Sequence, residues 1–306
     1  MTLNLLLTQV LNGVQFGILL FLMAAGLTLV FGIMSFINLA HGSLYMLGAY
    51  FAAVAYGWTG SFWLAMAAAF FGLFALGALA DALGLSILHR RDHLDQVLAT
   101  FGIVLFCNEL VRVVWGNAPL FMDAPPLLAD SIEVLGLNYP AYRFAIIGAG
   151  LVVALGLYLL IERTRIGMLI RAGASNRSMV SALGVNIGWI NRFVFALGAA
   201  LAGLAGAMVG PILSIQPGMG EPILILTLVV IVIGGIGSIR GAFLGALVVG
   251  VVDTLGRVLM PSLLNQLFSP SVANAAGPAM ASIGVYLLMI IVLAFKPDGL
   301  FPVRQR

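Results

Sequence analysis

Nine stretches of this sequence, near residues 9–32, 40–57, 62–88, 96–115, 141–161, 193–213, 222–239, 241–259 and 279–295, are apolar over bilayer-spanning lengths. A helix needs about 20 residues to cross the hydrocarbon core. Every backbone polar group must be paired inside that layer, which leaves helices or a closed barrel. The runs are continuous rather than alternating, and 37 glycines with many alanines suit helices packed through small residues. Only 8% of the residues are charged, against about 25% in soluble domains. The chain therefore reads as all-α: a polytopic helical membrane protein in one transmembrane domain, with about nine spans. The count stays between eight and ten, because the seventh and eighth runs are short and meet at glycines.

Charge sets the expected orientation. From Glu162 to Arg192, five arginines (Arg163, Arg165, Arg171, Arg177, Arg192) stand against the single acid Glu162. Basic residues this close to span ends mark a cytoplasmic loop. His89-Arg90-Arg91, Arg240 and the tail residues Lys296, Arg304 and Arg306 fall on the same side. The stretch from Gly116 to Tyr139 carries Asp123, Asp130, Glu133 and Pro125-Pro126 without a base, and is expected outside. Nine spans with the N-terminus out and the C-terminus in satisfy all of these. The N-terminus lacks the bases of a secretory signal, so the first run reads as a retained span. The net charge of +3 speaks of orientation, not of nucleic-acid binding. Cys107 is the sole cysteine and cannot form an internal disulfide.

Within the arginine loop, Ser175 to Leu183 reads as a short amphipathic helix. Met179, Val180 and Leu183 are its apolar residues, Ser175 its N-cap and Gly184 its stop. It is either a docking surface for a soluble protein or a connector that fixes topology. Two span junctions also look alike: Leu27-Thr28-Leu29-Val30 aligns with Leu226-Thr227-Leu228-Val229, and Gly42 with Gly241. Both would join an inward to an outward span, which suggests a parallel internal repeat. Each brings polar or small residues near membrane depth, where irregular backbone survives only inside protein or beside a cavity. Two tight cytoplasmic turns account for the same glycines.

In these segments the chain resembles the permease subunits of ABC importers for branched-chain amino acids, of the LivH type. The resemblance runs through Asn38-Leu39-Ala40-His41-Gly42, Gly48-Ala49-Tyr50 and Ala99-Thr100-Phe101-Gly102. It continues through Arg165, Gly167, Arg171-Ala172, Asn176 and Gly184-Val185-Asn186, then Ala202-Gly203, Ala205-Gly206, Pro217 and Gly220, and ends at Gly234-Gly235-Ile236-Gly237-Ser238 with Gly241-Ala242. It implies a helical importer subunit in a bacterial inner membrane, paired with a second permease, two cytoplasmic ATPases and a periplasmic solute-binding protein. ATP and Mg would sit on the ATPases, with no cofactor in this chain. The coupling loop would use Arg171, Ala172, Asn176, Val180, Gly184 and Asn186. Candidates along the solute path are Asn38, His41, Gly42, Leu226, Gly234, Gly235 and Gly237. The chain departs from the family pattern at Val180, where alanine is common, and at Leu226, where lysine is frequent. Asp81 stands where a glutamate is frequent, without the Arg-Pro that often follows. These departures leave amides, urea and aromatic acids open beside branched-chain amino acids.

Other constellations read as structure. Gly198, Ala202, Gly206 and Gly210 recur every four residues as a helix-packing face. Glu109 with Arg112, and Asp253 with Arg257, have ion-pair spacing on helices. His89 and His93 read as a solvated basic corner, and no His/Cys cluster has metal-ligand spacing. No glycine loop ends in Gly-Lys-Ser/Thr, so ATP-driven transport requires another chain for hydrolysis. A self-contained secondary transporter or channel is the alternative; it needs coupling carboxylates at mid-membrane. A membrane-embedded enzyme needs a nucleophile or metal cluster that the sequence does not offer.

Overall fold

A computed structural model describes residues 3–89, 91–134 and 136–301. The chain runs α1 (Leu3–Met34), α2 (His41–Thr59), α3 (Phe62–Ala80), a π turn (Asp81–Leu85), α4 (Ser86–Leu88) and α5 (His93–Trp115). After a hairpin of β1 (Ser131–Val134) and β2 (Leu137–Pro140) come α6 (Ala141–Arg163), α7 (Arg165–Ser175) and α8 (Arg177–Ala182). The last four helices are α9 (Ile187–Val209), α10 (Gly220–Gly234), α11 (Ile239–Leu264) and α12 (Pro270–Phe295). Among the described residues, seven helical stretches are long and apolar enough to cross a membrane: α1, Phe62–Leu88, α5, α6, α9, α11 and α12. Of the other two expected spans, α10 has only 15 residues. The 19 residues of α2 are diluted by histidine, serine and three tyrosines.

The bundle is built around α1 and α9. The most apolar window of each is 83% buried, against 11% in α12 and 17% in α6, so the outer helices turn apolar faces outward. Small residues bring the inner helices close. A methyl built on Gly26 would lie 2.7 Å from the Gly198 carbonyl oxygen, and one on Gly203 would lie 2.7 Å from Leu73 of α3. Gly17 of α1 meets Ala246 and Leu247 of α11 in the same way. In lipid, where apolar burial gives little drive, such backbone approach supplies the attraction. Gly206 reaches the Tyr45 carbonyl of α2, whereas Gly210 follows the end of α9 and meets Met122 and Ile215.

Several expectations are corrected. The stretch from Gly116 to Tyr139 contains most of the hairpin, which the sequence reading did not address, and Leu120 bridges Ile215. The sixth span covers 187–209 rather than 193–213. The loop from Glu162 to Arg192 holds two helices where the sequence predicts one. Ser175 ends the first, and Asn176 caps the second by accepting from the Met179 amide at 3.0 Å. Gly184 does end the element, at φ +83°, a conformation a Cβ disfavours. His89 is not solvated: its side chain is buried 3.4 Å from Asp81. The expected ion pairs form, Asp253 with Arg257 through two hydrogen bonds of 2.7 and 3.0 Å, and Glu109 with Arg112 on an exposed face.

Candidate functional site

The two junctions that look alike in sequence differ in space. After α1, Ser35 takes φ +49°, and the chain runs back into the bundle instead of turning at its end. Extended backbone there must find partners. Ile37 N–H donates to Gln96 Oε1 and Leu39 N–H to Thr100 Oγ1, both at 3.2 Å, while Ala40 N–H donates to Asn38 Oδ1 at 3.1 Å. Gln96 and Thr100 are one turn apart on α5, so two side chains of one helix hold the strand-like segment. His41 Nε2 lies 3.2 Å from the Met23 carbonyl oxygen. Met23 sits about three turns before the end of α1, roughly 16 Å along its axis. Helix α2 therefore starts deep inside the protein.

It meets there the start of another short helix. A methyl on Gly42 would lie 2.6 Å from the Gly220 carbonyl oxygen and 3.1 Å from Leu224 Cβ. Around this contact, Leu39, Gly42 and Ser43 face Val104 and Asn108 of α5 and Glu221 and Leu224 of α10 in a nearly closed groove of about 10 Å³. Asn108 Nδ2 donates to Glu221 Oε1 at 2.6 Å at its exposed margin. The groove thus has apolar walls under a carboxylate and an amide.

The remaining path candidates lie elsewhere. Gly234, Gly235 and Gly237 form the tight turn between α10 and α11, roughly 21 Å from Gly220 along α10. Gly235 is at φ +103°, and a methyl on it would lie 3.0 Å from the Phe301 carbonyl oxygen. The turn is strapped by Leu300 N–H to Ile233 oxygen at 2.8 Å and Phe301 N–H to Gly234 oxygen at 3.0 Å. Leu226 is buried in the core and does not line the groove. Sequence reading missed Gln96 and Thr100 as partners of the re-entering segment; the available signal was two polar residues four apart at the start of an apolar run.

At the other candidate site, three successive helices carry side-chain N-caps. Thr164 accepts from Gly167 N–H at 3.1 Å, Asn176 from Met179 N–H, and Asn186 from Trp189 N–H at 3.1 Å. Arg171 donates to the Ile161 carbonyl and lies 3.5 Å from Glu162, which also faces Arg240 at 3.8 Å. On α8 and the residue after it, Val180 is buried, whereas Met179 is 60% and Leu183 74% exposed. Ala172 lies in α7, half-buried, and its carbonyl accepts from the Asn176 N–H at 2.9 Å. Rigid caps and an outward apolar pair make a small, firm surface.

Residues 9–293 match the profile of a family described as "Branched-chain amino acid transport system / permease component". The chain is 30% identical to the high-affinity branched-chain amino acid transport system permease protein BraD of Pseudomonas aeruginosa, over 96% of this chain and 95% of that one. It is 29% identical to LivH of Escherichia coli, over 96% and 94%. The ribose import permease protein RbsC of Escherichia coli is 29% identical over 75% of this chain and 71% of its own. No solved structure matches. With seven long apolar helices and these relatives, the chain is a multi-pass integral membrane protein. It belongs to the family of branched-chain amino acid transport system permease components.

Proposed function

We propose that this chain is one permease of an ATP-driven importer for branched-chain amino acids or related small, partly apolar solutes. It spans an inner membrane about nine times, with the N-terminus outside and α7, α8 and Arg240 in the cytoplasm. It pairs with a second permease, two ATPases and a solute-binding protein. The observation that carries the reading is the capped α7–α8 element. A membrane protein that fixes Met179 and Leu183 outward between three N-caps offers an ATPase a surface rigid enough to transmit force. The loop from Gly116 to Tyr139 and its hairpin then face the binding protein.

The solute path passes the groove where α2 and α10 begin. Irregular backbone at depth is tolerated where it borders a cavity, and Gly42 against Gly220 lets two helix ends separate without breaking a side-chain lock. The ribose permease among the relatives fits a division of labour in which the binding protein selects the solute. Reconstitution tests the assignment. The full complex in proteoliposomes is expected to accumulate leucine only with ATP and loaded binding protein, and this chain alone to pass none. Leucine flux through this chain alone would instead establish a self-contained transporter.

A further inference from the structure

A second cavity lies away from the groove, where the end of α3, the turn after α4, α8 and the first turns of α9 meet. Its volume is about 340 Å³, within the range of small-molecule pockets. At Asp81 the helix slips into a π turn, a device often found at functional sites. Asp81 lines the cavity with a side chain only 2% exposed. Arg192 Nε lies 3.7 Å from Asp81 Oδ2. The other oxygen, Oδ1, lies 3.4 Å from His89 Nε2 but off line, and among the described residues no donor hydrogen-bonds it. Asn191 Oδ1 and His89 Nε2 are buried and equally without a partner among the described residues. Burial and the Arg177 charge hold the His89 ring down to about 4, so it is neutral at physiological pH.

The wall therefore carries two acceptor oxygens short of a donor, on Asp81 and Asn191, beside a neutral imidazole. It also carries two guanidinium groups, Arg177 and Arg192. Gly188 adds a first-turn amide of the 23-residue α9, one of those for which a helix supplies no acceptor. A plain anion would face Asp81, and a plain cation would face two arginines. A molecule with an ammonium and a carboxylate on one carbon answers both halves, since carboxylates pair well with guanidinium and helix N-termini.

We propose that this cavity binds a free α-amino acid, at a site separate from the groove. The inference rests on the import reading above: the ligand is then the transported product, arriving from the cytoplasm. The site touches α8 on one side and α3 and α9 on the other, so occupation ties the coupling element to the bundle and slows further import.

The experiment uses the full complex with its partner permease and ATPases in lipid nanodiscs, without binding protein. Calorimetry measures L-leucine, 4-methylpentanoate (no amine) and 3-methylbutylamine (no carboxylate). Leucine should bind saturably, and each half-ligand at least roughly 10-fold more weakly. Asp81→Asn and Arg177→Gln should each weaken leucine by a similar factor. Arg177 is only half-buried, so its variant keeps the test decisive if Asp81→Asn fails to insert. In proteoliposomes, leucine at the ATPase face should slow initial uptake, and Arg177→Gln should abolish that slowing. Full binding in either inserted variant, or equal binding of a half-ligand, overturns the site. Normal import with neither binding nor slowing sinks this inference alone. Asp81- and Arg177-dependent binding without leucine import sinks the import reading and leaves the site standing.

Discussion

Replacing Thr100 by valine tests the origin of the α2 start. The two side chains have nearly the same shape, so packing is preserved and one acceptor is lost. Thr100 is fully buried, and its Oγ1 takes the Leu39 N–H at 3.2 Å. With valine, that amide loses its side-chain partner in a part-buried site. A buried unsatisfied group costs about 1–3 kcal/mol, which corresponds to a roughly 5- to 150-fold easier local opening. Thr227→Val is the control. Thr227 is equally buried, but its hydroxyl donates only to the Ile223 carbonyl of its own helix at 2.7 Å, so about 0.5 kcal/mol or less is expected. Denaturant unfolding in mixed micelles gives the stability difference, and amide exchange at Leu39 reports the local opening. If Thr100→Val matches Thr227→Val in both, the Thr100 hydroxyl does not hold the segment and the reasoning fails.

Bulky replacements at Asn176 and Gly184 should leave membrane insertion intact but uncouple ATP hydrolysis from uptake. The first removes a cap worth about 1 kcal/mol, the second strains a φ of +83°, and normal uptake in the double variant would rule out docking there. Cysteines at Asp123 and Asp130, in a Cys107→Ser background, should react with an impermeant thiol reagent from outside intact cells; labelling only after lysis would invert the nine-span orientation. Leu226→Lys should lower folded yield rather than alter solute choice, because a charge at depth costs roughly 2.5–3.5 kcal/mol and Leu226 is buried; a stable variant with changed selectivity would instead support Leu226 as part of the path. Acidification should destabilise the fold through His89. Its folded pKa of about 4 lies below the ordinary 6.5, so its contribution is complete above pH 6.5 and falls away as pH drops toward 4. Asp81, Arg177 and Arg192 surround it. His89→Gln should flatten the thermal-stability profile across that window, and an unchanged profile would assign the pH dependence elsewhere.

Lipid makes the long helices legible in the sequence. A span facing hydrocarbon must be apolar along its length, so Leu, Ile, Val and Phe alone mark it. Sequence places the helix of the arginine loop one residue early, because Ser175 and Asn176 are both capping residues. Only the unrecognised α7, polar and carrying two glycines, takes Ser175 for itself. The return of residues 35–40 is not legible, since its partners Gln96 and Thr100 lie about sixty positions away. Asn38-Leu39-Ala40-His41 reads locally as an ordinary turn. The repeated Leu-Thr-Leu-Val marks a helix both times, but the two continuations diverge: one re-enters the bundle, the other turns tightly. Composition does not encode which glycine will touch which.

Those glycine contacts also constrain how the sequence can drift. Most close contacts in a protein core tolerate growth on one side when the opposing side chain shrinks. A side chain on Gly26 would meet the backbone of Gly198, one on Gly48 that of Gly203, and Gly42 with Gly220 and Gly234 with Gly241 oppose backbone to backbone in both directions. No residue is smaller than glycine, so an alanine at any of these positions has no compensating exchange across the contact. Suppressors of such lesions should arise at a distance, through shifts of whole helices, and not at the facing residue.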